Sequence, residues 1–216
     1  MNMTFRWYGR GNDTVQLEQV KQIPGVKGIV WALHQKPVGE VWEKEEIKAE
    51  VDYIESFGFH AEVVESVNIH ESIKLGNEDR DRYIENYKET IRNLGDFGVK
   101  VICYNFMPIF DWTRTDLFHP LPDGSTALFY EKNKVEQLAP QELIETFLSD
   151  KELTMPGWEP EKMERIKDLF AAYEGMSEDQ LWKNLEYFLR EILPVAEQDG
   201  IKMAIHPDDP PWSIFG

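Results

Sequence analysis

A helix, a glycine and then an apolar strand recur three times along this chain, and that recurrence limits the fold more than any other feature. In the first instance residues 45–56 put Ile47, Val51 and Ile54 on one helical face, Gly58 follows, and residues 59–67 read as a strand. In the second, residues 82–96 carry Ile84, Tyr87, Ile91 and Leu94 as a buried stripe, ahead of Gly98 and a strand over 99–107. In the third, residues 181–199 carry Leu181, Leu185, Phe188 and Ile192, ahead of Gly200 and a strand over 201–206. Each glycine stands where the end of a helix favours a left-handed residue. Helices alternating with strands imply parallel pairing through right-handed crossovers.

Two earlier strands, a short aromatic one over 4–8 and an apolar one over 28–33, bring the count to five. An open doubly wound sheet tolerates five strands. A (β/α)8 barrel needs eight and about 250 residues, and this sequence has 216. Strand ends rich in His, Asn and carboxylate, with no glycine-rich phosphate loop, favour the barrel. The expected fold is therefore α/β, a partial TIM (β/α)8 barrel. Residues 1–216 would be the N-terminal part of a single barrel domain, with a helical insertion around 109–180. In that insertion Pro120, Pro122, Asp123 and Gly124 mark a loop, 140–148 read as a helix and 156–160 as a break. Residues 161–173 read as a further helix with Met163, Ile166 and Phe170 inward. Ser177 and Gln180 predict a capping box for the helix that follows. The insertion is expected over the active face, as a lid or an oligomer contact.

Charge narrows the partners. A net charge of −17 disfavours nucleic acid and anionic membrane surfaces, both of which call for a basic face. An anionic sugar acid remains compatible if local cations such as Arg6, Arg10, Arg114 or a metal meet it. The single Cys excludes an internal disulfide framework and suits a reducing cytoplasm. Arg6 and Tyr8 interrupt any N-terminal apolar run, so no signal peptide is expected, and no stretch reaches the length of a membrane span. Seven Trp are compatible with core packing or with stacking on sugar faces, and composition does not choose between them.

Chemistry-bearing side chains gather at the ends of the expected strands. The run Met203-Ala204-Ile205 leads directly into His206, with Asp208 and Asp209 among prolines behind it. A barrel presents metal ligands at this end of its strands. His206 is thus a candidate ligand, the competing reading being a His bonded to nearby backbone or to Asp208. Asp208 is a candidate ligand or orienter of His206, and Asp209 is expected to cap the next turn. Asn105 ends the second repeat's strand, where its amide offers both a donor and an acceptor to a sugar hydroxyl, or else caps a turn. Cys103, two residues earlier, is expected in the core. Glu65 and His70 hold equivalent places on the first repeat, His70 as a substrate contact or proton carrier, or as a surface His near a helix start. Of Arg6, Trp7 and Tyr8, one is expected to face the pocket, with Arg6 pairing a carboxylate, and Arg114 is an alternative anion clamp. His34 and His119 are expected to be solvated loop residues, and His60 a structural residue at the far end of the sheet.

Three strings also carry a resemblance. Phe5-Arg-Trp-Tyr-Gly9, Val101-Ile-Cys-Tyr-Asn-Phe-Met-Pro-Ile-Phe-Asp-Trp-Thr-Arg114 and Ile205-His-Pro-Asp-Asp-Pro-Pro-Trp212 resemble stretches of bacterial mannonate dehydratase. The likeness spans nearly the whole chain, and members of that family are distinctly longer. The resemblance implies a xylose-isomerase-like TIM barrel and metal-dependent dehydration of D-mannonate to 2-keto-3-deoxy-D-gluconate in hexuronate catabolism, on Mn2+ or Fe2+. It implies that His206 matches a metal ligand. The companion Cys, His and Asp, and the catalytic Tyr and His, are expected beyond Gly216. Arg6, His70, Asn105 and Arg114 would then meet the sugar acid. A cytoplasmic homo-oligomer is expected. The competing readings are a xylose-isomerase-like sugar isomerase or epimerase, and a non-catalytic barrel fragment. The fragment alone is expected to be inactive.

Overall fold

The computed structural model describes residues 2–109, 114–133 and 166–209. Five parallel strands form one sheet: β1 (Met3–Arg6), β2 (Val26–Trp31), β3 (His60–Glu65), β4 (Val101–Tyr104) and β7 (Lys202–Ile205). Their spatial order, β1-β2-β3-β4-β7, follows the chain without reversal. A doubly wound sheet reverses its order at a switch point, so the open-sheet alternative is excluded. Sequential parallel order is the arrangement of consecutive strands in a (β/α)8 barrel.

The crossover helices are α2 (Lys44–Ser56), α4 (Arg80–Asp96) and α6 (Glu178–Gln198), joined by the short α1 (Leu17–Val20) and α3 (Glu71–Leu75). Ile47, Val51 and Ile54 of α2 are buried, as are Ile84, Tyr87, Ile91 and Leu94 of α4. Leu185, Phe188 and Ile192 of α6 are buried too, but Leu181 is only half-buried and Asn184 takes the inward place beside it. Gly58, Gly98 and Gly200 adopt φ of 84°, 81° and 67°. The amides of Val99 and Ile201 reach back to the carbonyls of Leu94 and Ala196, closing helices α4 and α6 with the six-to-one bond of a Schellman motif. At the start of α6, Ser177 Oγ accepts from Gln180 N at 3.2 Å. The Gln180 side chain donates to Asn184 Oδ1 rather than returning to Ser177, so only half of the expected capping box forms.

Between sheet and helices lies an aromatic-rich core. Phe188 is fully buried, with Tyr87 edge-on at 5.1 Å and Tyr104 and Phe106 at 6.1 Å. Trp7 and Trp31 are each 1% exposed, and their indole N–H groups donate to the carbonyls of Val15 and Ala61, both at 3.0 Å. Trp42 is buried as well, while Trp182 faces solvent. Core packing therefore accounts for most of the described tryptophans.

The chain divides into two compact units. Met1–Phe106 with Gly175–His206 holds the sheet and its helices, and Met107–Glu174 with Pro207–Gly216 forms the other. In the second unit β5 (Asp116–Pro120) pairs antiparallel with β6 (Thr126–Phe129). The expected loop over 120–124 is the turn of this hairpin, in which Asp123 Oδ1 accepts from the Ser125 amide at 3.0 Å and Gly124 takes φ of 85°. His119 consequently lies in a strand, stacked on Phe129 at 4.1 Å, and not in a solvated loop. Its place opposite Ala127 puts the ring beside an aromatic that no local pattern advertises. Helix α5 (Ile166–Tyr173) covers the end of the helix expected over 161–173, and Phe170 is half-buried. Met163, the helix expected over 140–148 and the break at 156–160 lie outside the described residues.

Candidate functional site

Register decides which strand-end side chains share a face. Glu65 pairs with Cys103 and Cys103 with Ala204, while Val63, Val101 and Lys202 form the row beneath. Side chains alternate along a strand, so Glu65, Cys103 and Ala204 share one face, and Asn105 and His206 stand one step beyond them on it. The opposite face carries Val64, Ile102 and Tyr104 into the helix-covered core. On β1, Arg6 pairs with Val30, and Val30 with Val63, which puts Arg6 on the same face as Glu65.

The guanidinium of Arg6 joins this row. Its Nε lies 3.5 Å from Glu65 Oε2, Nη1 donates to the Trp7 carbonyl at 2.9 Å, and the charge sits 4.6 Å from the Tyr8 ring centroid. Arg6 thus pairs a carboxylate as expected of its chemistry, but the carboxylate is the chain's own. Burial lowers the Arg6 pKa from its ordinary value, against the opposing pull of Glu65, Tyr8, Asp13 and Cys103. Burial also raises the thiol pKa of Cys103, Glu65 adding to the shift and Arg6 opposing it. A thiol kept protonated is a poor nucleophile and a poor metal ligand, which agrees with a packing role for Cys103.

His34 corrects an expectation. Three residues past the end of β2, it is half-buried instead of solvated, with its ring 5.7 Å from that of Tyr8. Its Nε2 is buried and has no hydrogen-bond partner among the described residues. Burial first and the Arg6 charge second push its pKa down to about 4, Asp13 pulling the other way. The ring lies against Tyr8 and Gly9, from a distant part of the chain, and no local pattern could have announced this.

The remaining candidates fall in separate places. Asn105 is 8% exposed at the end of β4. His206 is half-buried, and its amide donates to the Tyr104 carbonyl at 2.7 Å, which extends the β4–β7 ladder to the edge of this row. His70 caps α3, Nδ1 accepting from the Ser72 amide at 3.1 Å, and stacks on Tyr83 at 3.6 Å. In the other unit, Arg114 forms a two-pronged pair with Asp209, at 3.1 and 2.6 Å. Asp209 was expected to cap a local turn, yet it reaches a residue 95 positions earlier in the chain. Asp208 is exposed, and Pro210 to Trp212 lie outside the described residues. His60 opens β3 at the opposite end of the sheet. Among the described residues no three His, Cys, Asp or Glu side chains cluster to hold a metal ion.

The family model for D-mannonate dehydratase (UxuA) matches residues 1–216. The chain belongs to the D-mannonate dehydratase family. It is 77% identical over 216 residues to the mannonate dehydratase of Bacillus subtilis (strain 168), covering all of this chain and 60% of that protein. The mannonate dehydratase of Thermotoga neapolitana is 55% identical over 217 residues, again covering this whole chain and 60% of the relative. The crystal structure of mannonate dehydratase from Streptococcus suis serotype 2 superimposes with a TM-score of 0.84 at 48% identity, covering all of this chain and 56% of that one. This chain therefore spans about 60% of the length of these family members. The matched part is their N-terminal portion. No helix among the described residues is long and apolar enough to cross a membrane.

Proposed function

We propose that these residues build the N-terminal strands of a mannonate dehydratase barrel, and that the protein carrying them converts D-mannonate to 2-keto-3-deoxy-D-gluconate. The observation that carries this is the 77% identity to a mannonate dehydratase along the entire chain. It favours the dehydratase over a sugar isomerase or epimerase. The reaction removes the C2 proton and the C3 hydroxyl as water, and the resulting enol becomes the 2-keto product. The C2 hydrogen beside a carboxylate is weakly acidic, so charge developing on the C1–C2 unit must be met by fixed positive or hydrogen-bonding groups.

The chain's own contribution to that site is positioning. In this proposal Asn105 offers its amide to a substrate hydroxyl, and Arg6, held by Glu65, keeps a cationic edge on the same face. His70 and Arg114 are proposed as further contacts to the sugar acid, and Asp208 as support for His206. A divalent cation, Mn2+ or Fe2+, is part of the proposal, with His206 as one ligand. The described residues do not by themselves complete such a site, since one imidazole does not hold a catalytic metal against water. The general acid and base are not assigned to any of these residues. The single Cys supports a cytoplasmic location. Exposed Phe118 and Leu128 on the β5–β6 hairpin support self-association into a homo-oligomer.

The test is turnover of D-mannonate by the protein that carries this sequence, with added Mn2+, before and after chelation. His206→Ala is expected to lower bound metal, measured by elemental analysis, and to abolish dehydration. Full activity at unchanged metal content would remove His206 from the site. Absence of any D-mannonate turnover would refute the dehydratase reading.

A further inference from the structure

The geometry points to His34 as a further ligand-contacting residue, with its Nε2 hydrogen-bonded to a hydroxyl of the bound sugar acid. This rests on the dehydratase reading for the identity of the ligand. The imidazole stands past the end of β2, at the end of the sheet where Arg6, Glu65, Asn105 and His206 emerge. It lies against Tyr8, and a Cβ placed on Gly9 would come 3.7 Å from its Cδ2, so the residues just after β1 form one wall around it. Arg6 lies over the same Tyr8 ring, 4.6 Å from its centroid.

Buried polar atoms in folded proteins are almost always hydrogen-bonded, and an exception asks for a missing partner. Nε2 of His34 is such an exception among the described residues. The missing partner is not a cation, because Arg6 already supplies positive charge nearby. A hydroxyl suits the position best. It both donates and accepts, so it satisfies Nε2 in either ring tautomer. A polyhydroxylated acid also suits the neighbours, with its C–H face against the Tyr8 ring and its oxygens toward the Arg6 donors.

The deciding measurement is the 15N resonance of His34 Nε2 in the histidine-labelled natural enzyme, titrated with D-mannonate and, separately, with D-gluconate. A ligand-dependent shift is expected, and its absence with both sugar acids overturns the inference whatever turnover shows. Kinetics supply the second arm. His34→Phe keeps the ring against Tyr8 and removes both nitrogens, and it should lower kcat/KM for D-mannonate about tenfold, the size of one lost hydrogen bond. His34→Gln should recover part of that loss, and the thermal midpoint of both variants should match the parent at pH 7.5. Unchanged kcat/KM in His34→Phe also counts against the contact. If the parent enzyme does not turn over D-mannonate but D-gluconate shifts the Nε2 resonance, the dehydratase reading fails and the His34 contact stands.

Discussion

Replacing Gly76 with alanine should cost distinctly more than the same change at Gly58, although both glycines close a helix in the left-handed region. Gly76 has φ of 72° and Gly58 has φ of 84°, so the backbone penalty for a Cβ is shared, about 1–2 kcal/mol. Their surroundings differ. A Cβ on Gly58 meets nothing within 4 Å, whereas one on Gly76 would lie 2.8 Å from Asn184 Oδ1 and 3.1 Å from its Nδ2. That amide is not free to move. It is 3% exposed, it donates to the Lys74 carbonyl at 2.7 Å, and it accepts from Gln180 Nε2 at 3.1 Å. Accommodating the methyl group would break the bond to Lys74 and strand a buried carbonyl, adding about 1–3 kcal/mol. Gly76→Ala should therefore cost about 2–5 kcal/mol and Gly58→Ala about 1–2 kcal/mol. Urea denaturation followed by tryptophan fluorescence measures both. In an Asn184→Ala background the clash is gone, so Gly76→Ala should fall to the cost of Gly58→Ala, a non-additivity that marks direct contact. Equal costs at the two glycines in the parent protein, or full additivity with Asn184→Ala, would refute the reasoning.

Stability should also fall in acid through His34. Its folded pKa of about 4 lies below the 6.5 of the unfolded chain, so its contribution is complete above pH 6.5 and is lost as the pH falls toward 4. That difference sets a ceiling of roughly 3 kcal/mol, and partial exposure of the ring reduces it to about 1–3 kcal/mol. Denaturation of the parent and His34→Phe from pH 7.5 to 4.5 should give a shallower acid loss in the variant, and parallel curves would count against the shift. Phe188→Ala should cost about 3–5 kcal/mol, because it empties the space between Tyr87, Tyr104 and Phe106, and a loss under 1 kcal/mol in the same urea assay would contradict the packing described. Asn105→Ala should reduce kcat/KM on D-mannonate while moving the thermal midpoint little, and loss of folding as its main effect would make Asn105 a structural residue.

Local chemistry sufficed to place the three units of helix, glycine and strand. The stripes Ile47-Val51-Ile54 and Ile84-Tyr87-Ile91-Leu94 needed only helical periodicity, and Gly58, Gly98 and Gly200 needed only the absence of a Cβ at a left-handed cap. Alternation of these units with apolar strands was enough for a parallel sheet, and residue type was enough to nominate Arg6, Asn105 and His206 at strand ends. Contacts between distant segments were decided by the tertiary structure. The unreversed strand order that separates a barrel from a doubly wound sheet is a pairing fact, invisible to periodicity. The β5–β6 hairpin was hidden because its turn residues also suit a plain loop. Arg114 and Asp209 meet across 95 positions, and Arg6 is held by a carboxylate from a strand two places away in the sheet. His34 shows the difference most plainly. Its sequence neighbours describe a loop, while its burial, its unmet nitrogen and its lowered pKa come from Tyr8, Gly9 and Arg6, brought to it by the pairing of β1 with β2. Burial and electrostatics depend on everything within a few ångströms, and only the folded chain determines what that is.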